Sequence, residues 1–292
     1  MLKEKQNTKF LLIFIFFLVA LNLFAWFVVF NLTKNHFLEI NFLDVGQGDS
    51  IFIETPNNYQ ILIDGGPSPN DLIENLSKLM PFYDRSIDLI ILTHPEKDHI
   101  TGLLEVLKRY KIKNILWTGI IRDTSEWNEW NNLIKKEKSY IKIAKAGQKI
   151  IFNDLIYFTV LYPFENLEGQ IFNDSNDTSI VGKLVFKNNS FLFTGDIGKS
   201  VEKKLVDENI EIDSDVLKIA HHGSKNSTST EFLEKVSPEI AVIQVGKNNY
   251  GHPNNEVLAR LEQFDITILR NDKNGDIKII SLGNNLKIKT EK

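Results

Sequence analysis

The segment Thr93-His94-Pro95-Glu96-Lys97-Asp98-His99 carries four imidazole or carboxylate groups within six residues. These groups share one chemistry: neutral imidazole and ionised carboxylate both ligate divalent cations, and on one turn they can be aimed at one point. A solitary histidine is read first as a packed or surface residue, and the cluster reverses that reading. The 292-residue chain contains no cysteine, so any metal must be held by His, Asp or Glu. Disulfides and thiolate sites are excluded with it. Further along, Asp196 closes the run Ser-Phe-Leu-Phe-Thr-Gly-Asp, His221 and His222 precede Gly223, and His252 follows Gly251.

Such groups need a rigid edge behind them. The cluster follows the apolar run 88–93, which reads as a buried strand, and Ile100-Thr101-Gly102 opens helical spacing near 101–110. Strands are also expected at 38–43, 50–55, 59–64, 113–117, 155–162, 180–187, 190–194, 215–220, 239–245 and 266–270. Helices are expected at 70–80 and near 125–137, 198–209, 229–236 and 254–263. Residues 276–290 form two alternating runs around Gly283-Asn284-Asn285 and read as a hairpin. Two mixed sheets with helices outside, an α/β sandwich, satisfy this order. Loops at the carboxyl ends of strands then share one crevice, where open sheets bind ligands.

On these residues the chain resembles the metallo-β-lactamase superfamily, whose signature is His-x-His-x-Asp-His on such a loop. Asp44-Val45-Gly46-Gln47-Gly48-Asp49-Ser50 is similar to the segment typical of the ComEC/Rec2 competence branch, and Leu62-Ile63-Asp64-Gly65-Gly66 to the superfamily's strand-end aspartate and glycines. Asn176-Asp177-Thr178-Ser179, Phe193-Thr194-Gly195-Asp196, His221-His222-Gly223-Ser224 and Gly251-His252-Pro253 follow in that branch's order. The resemblance implies an αββα sandwich and a shell of His94, Asp98, His99, Asp196 and one of His221 and His222 around one or two ions, zinc or manganese. Two ions would lower the pKa of a shared water and stabilise charge on a phosphoryl or carbonyl oxygen.

Two departures bear on the shell. Glu96 stands where most of the superfamily has its second histidine, and no histidine lies between His99 and His221. Glu96 or Asp177 is therefore expected to complete the first site with water, or one ion is held firmly and another loosely. Asp98 and His252 are the expected catalytic side chains, and His252 has turn bracing as its bland alternative. Asp44, Gln47, Asp49 and Asp64 are expected to support the loops; for Asp64, bracing by accepted hydrogen bonds is favoured over ligation. Of the adjacent histidines, one is expected to ligate and the other to pack, since neighbours on an extended chain face opposite sides. Lys225 reads as a solvated lysine. Trp117, Trp127 and Trp130 are expected to be partly buried rather than base-stacking.

Phe10 to Leu32 contains no charge and is long enough for a helix to cross a bilayer core of roughly 30 Å. Its bulky end (Phe27, Val28, Val29, Phe30) favours an uncleaved anchor over a cleaved signal. Lys3, Lys5 and Lys9 before the span, against Lys34 after it, place the amino terminus in the cytoplasm. Residues 1–34 are thus read as tail and anchor, and residues 35–292 as an extracytoplasmic hydrolase domain. The formal charge is −4; four lysines and one glutamate give residues 1–34 a charge of +3, which leaves −7 for the body. No basic stripe marks a DNA-binding surface, so a polyanion would be held locally. The expected function is a metal-dependent phosphodiesterase or nuclease, with DNA among its substrates. The alternatives are hydrolysis of another envelope ester or a lactam, and a non-catalytic, metal-poor binding subunit. No protein partner is inferred.

Overall fold

The structure, a computed structural model, describes residues 2–32, 37–172 and 174–292. Helix α1 (Leu2–Leu32) contains the stretch Lys9–Val29, 21 residues of mean hydropathy 2.8 with no part buried. It is long and apolar enough to cross a membrane. Lys34 and the expected boundary at 34/35 lie outside the described residues.

The body is a four-layer sandwich. In chain order its elements are β1 (Leu38–Phe42), β2 (Ile51–Glu54), β3 (Gln60–Ile63), α2 (Pro69–Leu79), β4 (Ser86–Leu92), α3 (Lys97–Arg109), β5 (Lys111–Trp117), α4 (Ser125–Lys136), β6 (Tyr140–Ile143), β7 (Lys149–Asn153) and β8 (Ile156–Tyr162). Then come β9 (Val181–Phe186), β10 (Asn189–Phe193), α5 (Lys199–Asp207), β11 (Val216–Lys218), α6 (Thr230–Val236), β12 (Ile240–Ile243), α7 (Asn255–Gln263), β13 (Thr267–Arg270), α8 (Asn271–Asn274), β14 (Ile277–Ser281) and β15 (Leu286–Thr290). One sheet runs β15-β14-β1-β2-β3-β4-β5-β6 and the other β13-β12-β11-β10-β9-β8-β7. Ile40, Phe42, Ile53, Ile61 and Ile91 of the first meet Phe158, Leu184, Phe191, Phe193 and Val242 of the second in the inner core. On the outer faces Leu72, Leu76, Leu103 and Leu107 pack against the first sheet, and Val201, Leu205, Phe232 and Leu261 against the second.

Strands β3 to β6 pair in parallel, as do β10 to β13, and the carboxyl ends of both sets lie on one side of the sandwich. Three loops there are woven together by backbone bonds. Asp49 N donates to Asp98 O at 3.2 Å, Gly65 N to His99 O at 2.7 Å, Gly66 N to Asp49 O at 2.8 Å and Gly102 N to Gly66 O at 3.0 Å. The approach is close enough that a Cβ on Gly102 would stand 1.9 Å from Gly65 O. An exposed helical glycine gains roughly 1 kcal/mol when replaced by alanine. Here the sign reverses: Gly102→Ala should lower the unfolding free energy by about 1–3 kcal/mol or more, the usual cost of overpacking, as urea denaturation will read.

Several expectations need correction. Helix α3 begins at Lys97, not near 101, so Asp98 and His99 occupy its first turn. The exposed edge strands β6 and β7 were not expected at all. Nor is the histidine pair extended: Ala220–Gly223 is a tight 3-10 turn in which His221 and His222 have φ of 51° and 54°. Trp130 is fully buried, edge-on to Trp117, with 6.0 Å between ring centroids.

Candidate metal centre

The site is built from imidazoles whose Nδ1 atoms are already engaged. His99 Nδ1 meets Asp64 Oδ2 at 2.8 Å, and His222 Nδ1 meets the carbonyl of Gln244 at 2.8 Å. Thr93 Oγ1 donates to Asp64 Oδ2 at 2.6 Å and takes its own contact from His94 Nδ1 at 3.1 Å. With Nδ1 carrying the proton in each ring, all three Nε2 lone pairs are left for a cation, the arrangement that outer carboxylates and carbonyls impose on metal-binding histidines. His94 Nε2 is buried and without a hydrogen-bond partner.

Four side chains offer one donor atom each within 4.8 Å of one another: Asp98, His99, Asp196 and His222. Asp196 Oδ2 lies 3.3 Å from His99 Nε2 and 3.4 Å from His222 Nε2, and Asp98 Oδ2 lies 3.2 Å from His222 Nε2. A second group, Asp49, Asp64 and His99, lies directly behind. The His94 and His99 ring centroids are 4.1 Å apart. Chemically this donor set suits a divalent ion: imidazole nitrogens, carboxylates, supported outer partners and an orphaned nitrogen facing the cluster.

The electrostatics agree. Although burial opposes charge on His222, the carboxylates of Asp196 and Asp49 draw a proton onto it and push its pKa up to about 10. His99 is raised for the same reason, by Asp196, Asp64 and Asp98. Burial alone would raise Asp196, but His222, His99 and Lys218 hold it well below the usual carboxylate range. The cavity is thus a concentrated anionic field that holds protons where a metal ion would replace them.

His94 behaves oppositely. Burial, then the neighbouring His99, lowers its pKa to about 3. Between pH 6.5 and 3 the unfolded chain binds the proton that native His94 refuses, so stability falls as pH falls through that window. Since each unit is worth about 1.4 kcal/mol, His94→Asn should remove a pH-dependent loss of roughly a few kcal/mol, seen as a flatter plot of urea-derived stability against pH in metal-free protein.

The other expected residues divide. Asp64 is a brace: it accepts from Thr93 N at 2.8 Å as well as from the Thr93 hydroxyl, and it orients His99. Gln47 accepts from Gly246 N at 3.3 Å. Asp44 stands away from the cluster, its backbone N bound to Asp276 Oδ1 at 2.6 Å. Glu96 borders the cleft, but its Oε1 is engaged by Arg122 at 2.7 Å and by the Ser175 hydroxyl, and it lies outside the four-donor group. Asp177, expected as an alternative completion, instead accepts from Gly198 N at 2.8 Å and from the Ser200 hydroxyl, capping the start of α5. His221 lies outside the four-donor group, its ring 5.5 Å from that of His252. His252 borders the cleft with its Nδ1 buried and unpartnered. Burial and the nearby His221 hold its pKa below the ordinary value.

Lys218 is the participant that the sequence reading missed. It is 1% exposed, contacts Asp49, donates to Gly195 O at 2.9 Å and stands 3.5 Å from Asp196 Oδ1. Its signal in the sequence was a lone cation inside the apolar run Val216-Leu217-Lys218-Ile219-Ala220. Above the cluster opens a cleft of about 1060 Å³, with Lys97, Lys247, Tyr250 and His252 along its rim.

The family model described as the metallo-β-lactamase superfamily matches residues 43–247. The chain belongs to this superfamily. Among its curated relatives is ComE operon protein 3 of Bacillus subtilis (strain 168), 33% identical over 260 residues, a match covering 82% of this chain and 32% of that protein. Recombination protein 2 of Haemophilus influenzae is 28% identical over 245 residues, covering 82% of this chain and 28% of the relative. The chain spans about a third of the length of these relatives. Among solved structures, the metallo-β-lactamase fold protein YhfI of Bacillus subtilis superposes with a TM-score of 0.53 at 12% identity, over 80% of this chain and 96% of its own. CmlA of Streptomyces venezuelae, a diiron β-hydroxylase, superposes with a TM-score of 0.51 at 13% identity, over 82% of this chain and 53% of its own. A shared fold does not fix the reaction, which must be argued from the site.

Proposed function

We propose that this chain is a metal-dependent phosphodiesterase, with single-stranded DNA among its substrates. In this reading residues 1–34 are tail and anchor, with residues 10–32 crossing the membrane from a cytoplasmic amino terminus, and residues 35–292 are the extracytoplasmic catalytic domain. The observation that carries the reading is the convergence of Asp98, His99, Asp196 and His222 within 4.8 Å at the floor of an open cleft. Those four, with His94 beside them, would hold zinc or manganese. A divalent ion there supplies water activation and stabilises charge on a phosphoryl oxygen.

The chain's own residues do the rest. Asp64 and Gln244 fix the His99 and His222 rings, so the Nε2 atoms need no reorientation. Lys97 and Lys247 on the rim attract an anionic diester in an otherwise acidic body. Asp98, partly open to the cleft, can orient a water by accepting its hydrogen bond, and His252 is an uncharged imidazole near neutral pH that can take or pass a proton. Glu96, held by Arg122, favours one firmly bound ion over two.

The body charge of −7 favours a second reading, an envelope phosphodiester less anionic than DNA. The test is the full-length protein in detergent, loaded with manganese or zinc and offered single-stranded DNA, bis(p-nitrophenyl) phosphate and a chromogenic lactam. Cleavage of both diesters with the lactam intact is the expected result. Cleavage of the small diester alone moves the substrate to the second reading. Lactam turnover alone, or no metal uptake, overturns the phosphodiesterase.

A further inference from the structure

The end of the sandwich opposite the cleft has features that the hydrolase site does not use. Strand β1 starts there at Leu38, paired with Ser281, and runs toward the site. Only five residues separate it from Leu32, the end of α1. Six Cα steps of at most about 3.6 Å keep Leu38 within roughly 20 Å of that helix end. If α1 is the membrane span proposed above, the face around Leu38 is the one brought to the bilayer.

That face is built from turns held to one another. Gln60 Nε2 donates to Asp84 Oδ2 at 2.9 Å, Lys187 N to Leu155 O at 3.0 Å and Asn188 N to Gly283 O at 3.0 Å. Among the described residues of the body, most large exposed apolar side chains outside the edge strands' interiors lie here. Phe82 is 87% exposed, Tyr83 76% and Tyr140 68%, with Tyr59, Leu155 and Leu282 also exposed. The cleft end has Ile121, Ile171 and Tyr250. Single exposed apolar residues need no explanation, but several aromatics on one end face do. Tyrosine and other aromatics concentrate at the boundary between headgroups and acyl chains, where an apolar ring and a polar edge are both satisfied. Arg85, Lys111, Lys138 and Lys187 are exposed around them; of the acids on the face, Asp84 is engaged by Gln60 and Ser86 and Asp88 by Lys113, while Asp154 beside Leu155 is exposed.

We propose that this end face rests on an anionic lipid surface, with Phe82, Tyr83 and Tyr140 in the interfacial layer, so that the catalytic cleft opens away from the membrane. The proposal depends on the anchor reading. An enzyme so placed meets its substrate from the aqueous side and does not draw it from the lipid.

The cysteine-free chain allows single spin labels in the full-length protein, reconstituted in vesicles of phosphatidylethanolamine and phosphatidylglycerol. Labels go on Phe82→Cys, on Asn249→Cys at the cleft rim and on Phe16→Cys within α1. Collisions with oxygen mark lipid, and collisions with a water-soluble nickel chelate mark water. The expected pattern is oxygen dominating at 16 and 82, and nickel at 249. Nickel dominating at 82 while oxygen dominates at 16 overturns the docking face and leaves the anchor standing. Nickel at 16 removes the anchor reading and the proposal with it. Oxygen at 249 reverses the orientation, and protection from both reagents at 82 means that a protein covers the face; either result overturns the proposal.

Discussion

Asp196→Asn will bind divalent cations at least about a thousandfold more weakly than the parent, a loss of about 4 kcal/mol. Asp196 Oδ2 reaches both His99 Nε2 and His222 Nε2, at 3.3 and 3.4 Å, while Oδ1 faces Lys218. The amide keeps the shape but removes the charge and turns one acceptor into a donor. Two imidazoles would then face a neutral amide, a much weaker partner for a shared cation than a carboxylate. Diester cleavage should fall by at least a similar factor. Calorimetric titration with manganese and zinc reads the affinity, and circular dichroism confirms that the comparison is between folded proteins. A folded variant with parental affinity would remove Asp196 from the metal shell and would undo the proposed chemistry.

Much of this arrangement was legible because it lies at element ends, where local sequence is informative. Apolar runs mark β1, β3, β4 and β10, and Asp44, Asp64, His94 and Asp196 follow one to three residues after their last positions. What the strands do to one another was less legible. Tyr140–Ile143 and Lys149–Asn153 are exposed edge strands with lysines among their apolar residues, so no buried face enforces a period of two. The start of α3 at Lys97 was not legible because its N-cap, Glu96, makes no side-chain capping bond and leaves no Ser, Thr or Asp signature there. The left-handed turn at His221 and His222 has only Gly223 as a local sign, and it is held by long-range bonds such as His221 N to Gly195 O at 3.2 Å. The partners of Glu96 and Asp177 were illegible for the same reason. Their partners, Arg122 and Ser175 for one and the start of α5 for the other, are distant in sequence, and donor type alone does not reveal that a carboxylate is already engaged.

Lys218→Met should produce the largest loss of stability of any single change at the site, about 3–5 kcal/mol in the metal-free protein. Methionine can keep much of the packing of the lysine stem between β10 and β12. What it removes is the ammonium that contacts Asp49 and lies 3.5 Å from Asp196, both carboxylates being almost wholly buried. Burial disfavours the charge on Lys218, yet those two carboxylates raise its pKa, so the lysine stays protonated. Without it Asp49 and Asp196 must hold protons of their own or lean on His99 and His222, the groups that a metal ion needs deprotonated. Lysine and ion therefore act on the same anionic field. Manganese should raise the melting temperature of Lys218→Met by more than it raises that of the parent, since in the variant the ion relieves a larger surplus of negative charge. Equal shifts would show that the lysine and the ion are energetically independent. An unchanged melting temperature of the metal-free variant would show that the two carboxylates do not need the ammonium.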